Sequence, residues 1–130
     1  MNNFNKDDMY EDMGATYQVY MIHWLNESLK KKGITDKNKR KEIIADFAFP
    51  FSVWQDQYWF KDTDGNKVFP CITFSENGPS CDLEINELGK VHFPSSGFSF
   101  HDYLNGNLHY YFTEINEDIS KIESDRFDRE

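Results

Sequence analysis

Four short runs of alternating apolar and polar residues follow one another between residues 54 and 94. Three turn-forming segments, each with a glycine, separate them at residues 63–65, 76–79 and 87–89. Apolar runs joined by such segments are typical of β-hairpins. The pattern therefore predicts a four-stranded antiparallel β-meander around which the rest of the chain packs.

The loop lengths predict how the strands pair, because side chains alternate between the two faces of a sheet. A three-residue loop in the first turn pairs Phe60 with Val68, whereas a two-residue turn would set Lys61 against Val68. A three-residue loop in the last turn pairs Ile85 with Val91. The predicted core face of the meander then consists of Tyr58, Phe60, Val68, Pro70, Ile72, Phe74, Cys81, Leu83, Ile85, Val91 and Phe93.

The opposite face of the predicted meander is mixed in character. It carries the acidic residues Asp82 and Glu84 together with the aromatic residues Trp59 and Phe69. One interpretation is that a loop or a terminal helix covers the aromatic side chains. The other is an exposed patch that anchors a partner, since Trp and Tyr dominate binding hot spots.

Two helices are predicted before the meander. The first spans Asp7–Lys32, with acidic residues in its first turns, lysines in its last turn and Gly33 as its C-cap glycine. The second spans Asp36–Phe47, with Thr35 as N-cap and Pro50 as the residue that ends it. Its predicted buried side consists of Ile43, Ile44, Phe47 and Ala48.

Seven Lys or Arg residues fall within residues 30–41, against the single acidic residue Asp36. Cations at the start of a helix are slightly unfavourable, because the helix dipole is positive there. Three interpretations are open: a solvated turn, a docking point for the acidic C-terminal segment, or a site for an anionic partner.

A third helix is predicted from Ser99 onwards, with Phe98 packing on Tyr103. Its apolar residues recur every three or four positions, as expected for one helical face. Gly106 interrupts the pattern, so the choice is between a helix kinked near this residue and a hairpin over 105–113. The predicted buried face consists of Leu104, Leu108, Tyr111, Ile115, Ile119 and Ile122.

These elements predict an α+β fold, a two-layer sandwich in which two N-terminal helices and one C-terminal helix pack on the four-stranded antiparallel meander. The 130 residues suit one domain, 1–130, with flexible ends at 1–6 and 124–130. An aromatic content of 17% argues against disorder.

The net charge of -9 is unevenly distributed along the chain. Residues 1–50 contain eight basic and eight acidic residues, whereas residues 51–130 contain six basic and fifteen acidic ones. A phosphate-binding surface needs the opposite sign, so the balance argues against nucleic-acid binding. It suits a basic partner.

No motif in the sequence indicates a particular chemistry. The histidines, at positions 23, 92, 101 and 109, lack the spacing of a metal site, and no glycine-rich phosphate loop is present. Cys71 and Cys81 fall on opposite faces of the predicted sheet, which predicts two free thiols. No signal peptide or membrane span is evident, so the expected location is the cytoplasm, with no metal or other cofactor.

The leading functional hypothesis is a non-enzymatic, cytoplasmic protein-binding module, for example an acidic inhibitor or immunity-type protein that acts on a basic partner. Aromatic side chains would anchor the partner and acidic ones would steer it. The predicted anchors are Trp59, Phe69 and Tyr110, and the predicted acidic residues are Asp82, Glu84, Glu114 and Glu117.

Two alternatives belong to other functional classes. The first is a small-ligand-binding domain or minor enzyme, with an aromatic pocket between helices and sheet lined by Tyr17, His23, Trp24 and Tyr111. The second is a homodimer or larger homo-oligomer that associates through the aromatic corner of the meander.

Overall fold

The computed structural model describes residues 4–6, 9–94 and 97–122. Helices and short strands both contribute, so the predicted α+β content is confirmed. The regular elements, in order, are β1 Phe4–Lys6, α1 Met9–Lys31, α2 Lys37–Gln57, β2 Phe60–Lys61, β3 Lys67–Val68, β4 Phe74–Ser75, β5 Val91–Phe93 and α3 Phe100–His109. A 3-10 turn, Ile85–Glu87, precedes β5, and a π-helix, Tyr110–Glu114, follows α3.

The strands form two small sheets in place of one meander. In the first sheet β5 lies between β1, to which it is parallel, and β4, to which it is antiparallel. The second sheet is the isolated hairpin of β2 and β3. Residues 4–6, predicted as part of a flexible end, thus form a paired strand, while 124–130 lie outside the described residues.

The first hairpin has the predicted register. Phe60 lies opposite Val68, and Gly65 adopts the left-handed conformation (φ +84°) that a three-residue loop requires. Its predicted contact with the core is wrong, however, because Tyr58 is 56% exposed and Phe60 is 50% exposed.

The other two predicted hairpins are wrong. Ser75 pairs directly with Val91, and the backbone N–H of Glu76 donates to the Lys90 carbonyl. Strand β4 therefore pairs directly with β5, with no further strand between them. Residues 77–89 form a loop between them, called here the 77–89 loop. Polar contacts shape this loop, and Ile85, predicted to lie in the core, is 62% exposed.

The loop is stabilised locally, which explains why its apolar residues do not form a strand. The Asn77 backbone N–H and side-chain amide donate to the carbonyls of Leu88 and Glu87, respectively. The Glu84 N–H donates to the Glu87 carboxylate at 2.8 Å. Cys81, predicted to face the core, is exposed, and Cys71 is exposed as well; both are free thiols.

Helix α2 extends ten residues beyond its predicted end. Pro50 lies inside it, and the N-cap is Asp36, whose carboxylate accepts from the N–H groups of Asn38 and Lys39. A buried stripe with a spacing of four continues across the proline, which shows why the helix survives the lost hydrogen bond. The stripe consists of Arg40, Ile44, Ala48 and Ser52.

The third helix is confirmed only as far as Glu114, because residues 115–119 leave the helix and Asn116 and Glu117 have positive φ, and the hairpin alternative over 105–113 is wrong. Helix α3 runs through Gly106, and the departure from α geometry comes later, in the π-helix Tyr110–Glu114. Phe98 packs on Tyr103 with ring centroids 4.8 Å apart, as predicted.

The core lies among the three helices. Within it, the predicted face of the third helix is buried except for Ile119, which is half-buried. The core consists of Val19, Ile22, Ile44, Ala48, Leu104, Leu108, Tyr111, Phe112, Ile115 and Ile122. No helix in the described part of the chain has both the length and the hydropathy to cross a membrane.

Candidate interaction surface and adjoining pocket

Four aromatic rings form a continuous stack on the outside of the protein. Phe47, Phe51 and Trp54 recur at i, i+4 and i+7 along α2 and therefore share one side of the helix. Their ring centroids are 5.2 and 5.8 Å apart, and Phe60 of β2 extends the row at 6.1 Å from Trp54. Helix α2 can present this row only because it continues past Pro50.

The hairpin carries further aromatic side chains on its other face. The register that pairs Phe60 with Val68 places Trp59 opposite Phe69. Trp59 is 43% exposed and Phe69 is 60% exposed. The Lys67 ammonium lies 4.5 Å from the centre of the Trp59 ring, a cation–π contact that orients the indole.

The ring stack, Trp59 and Phe69 together are called the aromatic surface below. Seven large aromatic residues in this part of the chain are 37–60% exposed: Phe47, Phe49, Trp54, Tyr58, Trp59, Phe60 and Phe69. At about 150–250 Å² for each side chain, they leave on the order of 700 Å² in water. This exposed area is divided between the ring stack on α2 and the two faces of the hairpin.

The geometry of the ring stack indicates what this surface can bind. Neighbouring rings are inclined by only 14–20°, with centroids 5.2–6.1 Å apart, so the row presents nearly parallel, offset rings. An apolar protein surface can pack against such a row.

A pocket of about 210 Å³ adjoins the aromatic surface, between the end of α2 and the start of α3. Three aromatic rings stand nearly at right angles at its wall: Tyr10 to Phe98 at 77° and Phe98 to Phe100 at 87°. The pocket is lined by Tyr10, Gln55, Asp56, Gln57, Pro70, Cys71, Ile72, Pro94, Phe98, Ser99 and Phe100. We call it the Asp56 pocket.

Asp56 is held in this pocket by the beginning of α3. Its carboxylate accepts from the backbone N–H groups of Phe100 (2.9 Å) and His101 (2.8 Å), and its Oδ2 lies 2.6 Å from the His101 ring Nδ1. The Asp56 side chain therefore caps the beginning of α3, while the Ser99 hydroxyl donates to Asp102.

The surroundings of Tyr10 in the pocket determine the pKa of its hydroxyl group. The Tyr10 hydroxyl donates to the Ile72 carbonyl at 2.5 Å. Burial raises the pKa of Tyr10 well above its ordinary value, and Coulombic interactions with Cys71 and Asp56 raise this pKa further. The interior of the pocket thus disfavours additional negative charge.

A second polar cluster lies at the opposite end of α2. The buried Arg40 guanidinium donates to the Asn26 side chain at 2.7 Å and to Glu117 at 2.9 Å. Lys30 lies 3.5 Å from the same Glu117 oxygen. The docking interpretation is therefore confirmed for Arg40 and Lys30, which meet Glu117, whereas Lys31, Lys32 and Lys39 are exposed as in a solvated turn.

The cluster continues into the core. The Tyr111 hydroxyl contacts His23 Nδ1 at 2.8 Å and accepts from Asn26 at 3.2 Å. Burial raises the pKa of Tyr111 to about 12. For Glu117, burial acts to raise the pKa, but hydrogen bonds from Asn26 and Arg40 outweigh it and hold this pKa below its ordinary value.

The residues predicted to bind a partner lie on three separate segments. Trp59 and Phe69 are exposed on the hairpin, Asp82 and Glu84 are exposed in the 77–89 loop, and Glu114 is exposed on the π-helix. The remaining two are less accessible. Tyr110 is half-buried, and Glu117 is 15% exposed within its ion pairs.

The four residues of the predicted alternative pocket do not line a common cavity. His23 and Tyr111 lie in the filled core, hydrogen-bonded to each other. Tyr17 and Trp24 are exposed on α1, where they border a shallow depression of about 520 Å³. The Asp56 pocket is therefore elsewhere than the sequence predicts.

The sequence interpretation missed Phe47, Phe51 and Asp56 as surface and pocket residues. Phe47 was predicted to lie in the core, and the second predicted helix, Asp36–Phe47, ended before Phe51. The i, i+4, i+7 spacing of the aromatic residues is a usable signal, but only once α2 is known to cross Pro50. No signal in the sequence indicated that Asp56 caps a helix 44 residues away.

No protein-family model, curated protein or solved structure matches this chain. Among the residues that the structure describes, no group of three or more His, Cys, Asp or Glu side chains is arranged to hold a metal ion. A functional conclusion therefore depends on the aromatic surface and the Asp56 pocket.

Proposed function

We propose that this protein is a non-enzymatic protein-binding module whose partner docks on the aromatic surface. The observation that carries the proposal is the ring stack, Phe47–Phe51–Trp54–Phe60, which leaves apolar rings in water along a helix and a hairpin. Exposed aromatic side chains in a row are expected at a binding site, since aromatic residues are enriched in interface hot spots.

Charge supports a basic partner. Residues 42–69 contain five acidic residues and two lysines, and the whole chain has a net charge of -9. Acidic groups around an apolar patch speed association with a cationic protein and disfavour an acidic one. An acidic inhibitor acting on a basic protein in a reducing compartment such as the cytoplasm is the most concrete version of this function.

The test compares partner capture by the unmodified chain with capture by a Trp59→Ala/Phe69→Ala variant. Both side chains are exposed, so their removal leaves the core unchanged. A Trp24→Ala variant is the matched control, because Trp24 is 62% exposed on α1, outside the aromatic surface. We expect the double variant to lose a basic protein that the control retains, and raised salt to slow its association.

Equal capture by the double variant and the unmodified chain would contradict the proposal. So would a capture in which the only protein lost is a second copy of this chain, since that result would make the aromatic surface a homo-oligomer interface. Light scattering of the purified chain at several concentrations separates self-association from binding of a different protein.

A further inference from the structure

The Asp56 pocket combines an aromatic enclosure with a single carboxylate. We propose that it binds an organic cation, the ammonium or guanidinium head of a Lys or Arg side chain presented by the basic partner. This inference depends on the proposed function for the source of the side chain. The chemical class of the ligand is inferred from the geometry of the pocket alone.

The three rings supply the first argument. Tyr10 and Phe98 are 5.3 Å apart, and Phe98 and Phe100 are 5.0 Å apart, each pair nearly perpendicular. Each pair therefore packs edge to face, and Tyr10 (0% exposed) and Phe100 (5% exposed) turn little ring surface to solvent. The rings form an apolar wall against which the methylene groups of a Lys or Arg side chain can pack while its charged head meets Asp56.

The Asp56 carboxylate supplies the second argument. It accepts hydrogen bonds from the Phe100 and His101 backbones and is in contact with the His101 ring, which occupies three of roughly four acceptor sites. Among the residues that the structure describes, these contacts leave one acceptor site for an N–H of a ligand. A carboxylate that is only 9% exposed gains a strong, charge-assisted hydrogen bond when a cation enters.

An anion is disfavoured in the same pocket. The start of a helix often binds anions through its free N–H groups, but Asp56 already accepts from the first two of α3. The negative charge of Asp56, which contributes to the raised pKa of Tyr10, would also repel an anion.

The size and position of the pocket agree with a side chain as ligand. Its volume of about 210 Å³ corresponds to roughly seven waters at ~30 Å³ each. That volume is smaller than the ~300–1,000 Å³ of pockets for drug-sized ligands. The lining residues Gln55 and Pro70 directly follow Trp54 and Phe69 in the chain, so a partner on the aromatic surface lies beside the opening.

The test is a titration of the full chain, followed by backbone amide NMR signals. The probes are Nα-acetyl-lysine methylamide, its trimethylammonium derivative and the neutral norleucine counterpart. We expect both cationic probes to shift the amide signals of Cys71, Phe100 and His101, and norleucine to leave them unchanged. Equal shifts from the neutral probe would overturn the proposal, and this comparison needs no variant.

A charge-removing variant gives a second readout. Asp56→Asn keeps an oxygen that accepts from the α3 backbone and removes the negative charge. We expect the lysine probe to bind it at least tenfold more weakly, whereas the control Asp46→Asn, an exposed position on the same helix, retains binding. Unchanged affinity in Asp56→Asn would overturn the role of the carboxylate.

Choline separates a protein side chain from a free small amine as the source of the cation. Tighter binding of choline than of either lysine probe would overturn the side-chain assignment. The Trp59→Ala/Phe69→Ala variant should bind the lysine probe normally. If the double variant loses the partner but the unmodified chain responds to none of the cations, the pocket proposal is rejected. The proposed function is unaffected by that result.

Discussion

At the scale of single residues, the clearest structural role belongs to the ion pair between Arg40 and Glu117. Arg40 is buried, and it also donates to the backbone carbonyls of Ile34 and Thr35. Removing one partner of such a pair leaves the other charge poorly compensated. The chain accepts strain to make the contact, because Asn116 and Glu117 both have positive φ values, 50° and 64°.

Glu117→Gln should lower the free energy of unfolding by about 1–3 kcal/mol at neutral pH, since it removes charge-assisted hydrogen bonds. The pKa of Glu117 is lowered in the folded state, so its contribution is present above the ordinary value of 4.5 and is lost as pH falls below it. Urea unfolding from pH 7 to pH 3 measures the difference between the two proteins, which should shrink towards the acid end.

The control for this measurement is Glu114→Gln, because Glu114 is an exposed acidic residue three positions earlier. It should change stability little at either pH. A Glu117→Gln effect that stays constant down to pH 3 would show that the carboxylate charge is not what stabilises the contact.

At the scale of elements, how well the sequence predicts a structure depends on how local its determinants are. The C-terminal end of α1 is correctly predicted: Gly33 has φ +87°, its N–H donates to the Lys30 carbonyl, and the Ile34 N–H donates to the Leu29 carbonyl. The first hairpin is also correct, because its register follows from a three-residue loop.

The elements that are wrong depend on distant contacts. The alternation of apolar and polar residues predicted that Ile85 and Val91 are both buried. In the structure β4 pairs directly with β5, and the 77–89 loop, which contains Ile85, is not part of the sheet. Pro50 is locally a helix breaker, but the buried Ala48 and Ser52 hold both sides of it against the other helices. The ring stack could not be predicted for the same reason, whereas the exposed Trp59 and Phe69 of the aromatic surface were predicted.

Pro50→Ala should stabilise the protein by about 1–2 kcal/mol, because it restores a helical hydrogen bond at an exposed position and loses only the stiffness of proline in the unfolded chain. Urea unfolding measures the change. Pro79→Ala, in the 77–89 loop, is the control and should give no gain. A destabilised Pro50→Ala would argue that α2 does not run unbroken through residue 50.

The hairpin of β2 and β3 depends on the ring stack for its position. A two-stranded hairpin is marginally stable alone, and Trp54 is the ring of α2 that contacts Phe60. Trp54→Ala should therefore speed amide hydrogen exchange at Asp62, whose N–H donates to the Asn66 carbonyl, while exchange at Ile22 in the core stays slow. Unchanged exchange at Asp62 would show that the hairpin is held by other contacts.

At the scale of the whole molecule, the three-helix core and the aromatic surface have separate roles. The core residues are buried without help from the hairpin, so the hairpin and the exposed side of α2 are free to serve binding. Under the proposed function, we expect association with a cationic protein in two stages, by electrostatic steering and then by aromatic packing.

Site-specific photo-crosslinking in the producing cell tests the binding role most directly. Phe69→p-benzoylphenylalanine places a photoreactive ring on the aromatic surface, and Trp24→p-benzoylphenylalanine places the same ring on α1. We predict that position 69 crosslinks to a distinct basic protein and that position 24 does not. Equal adducts from both positions, or an adduct at position 69 only with another copy of this chain, would contradict the account.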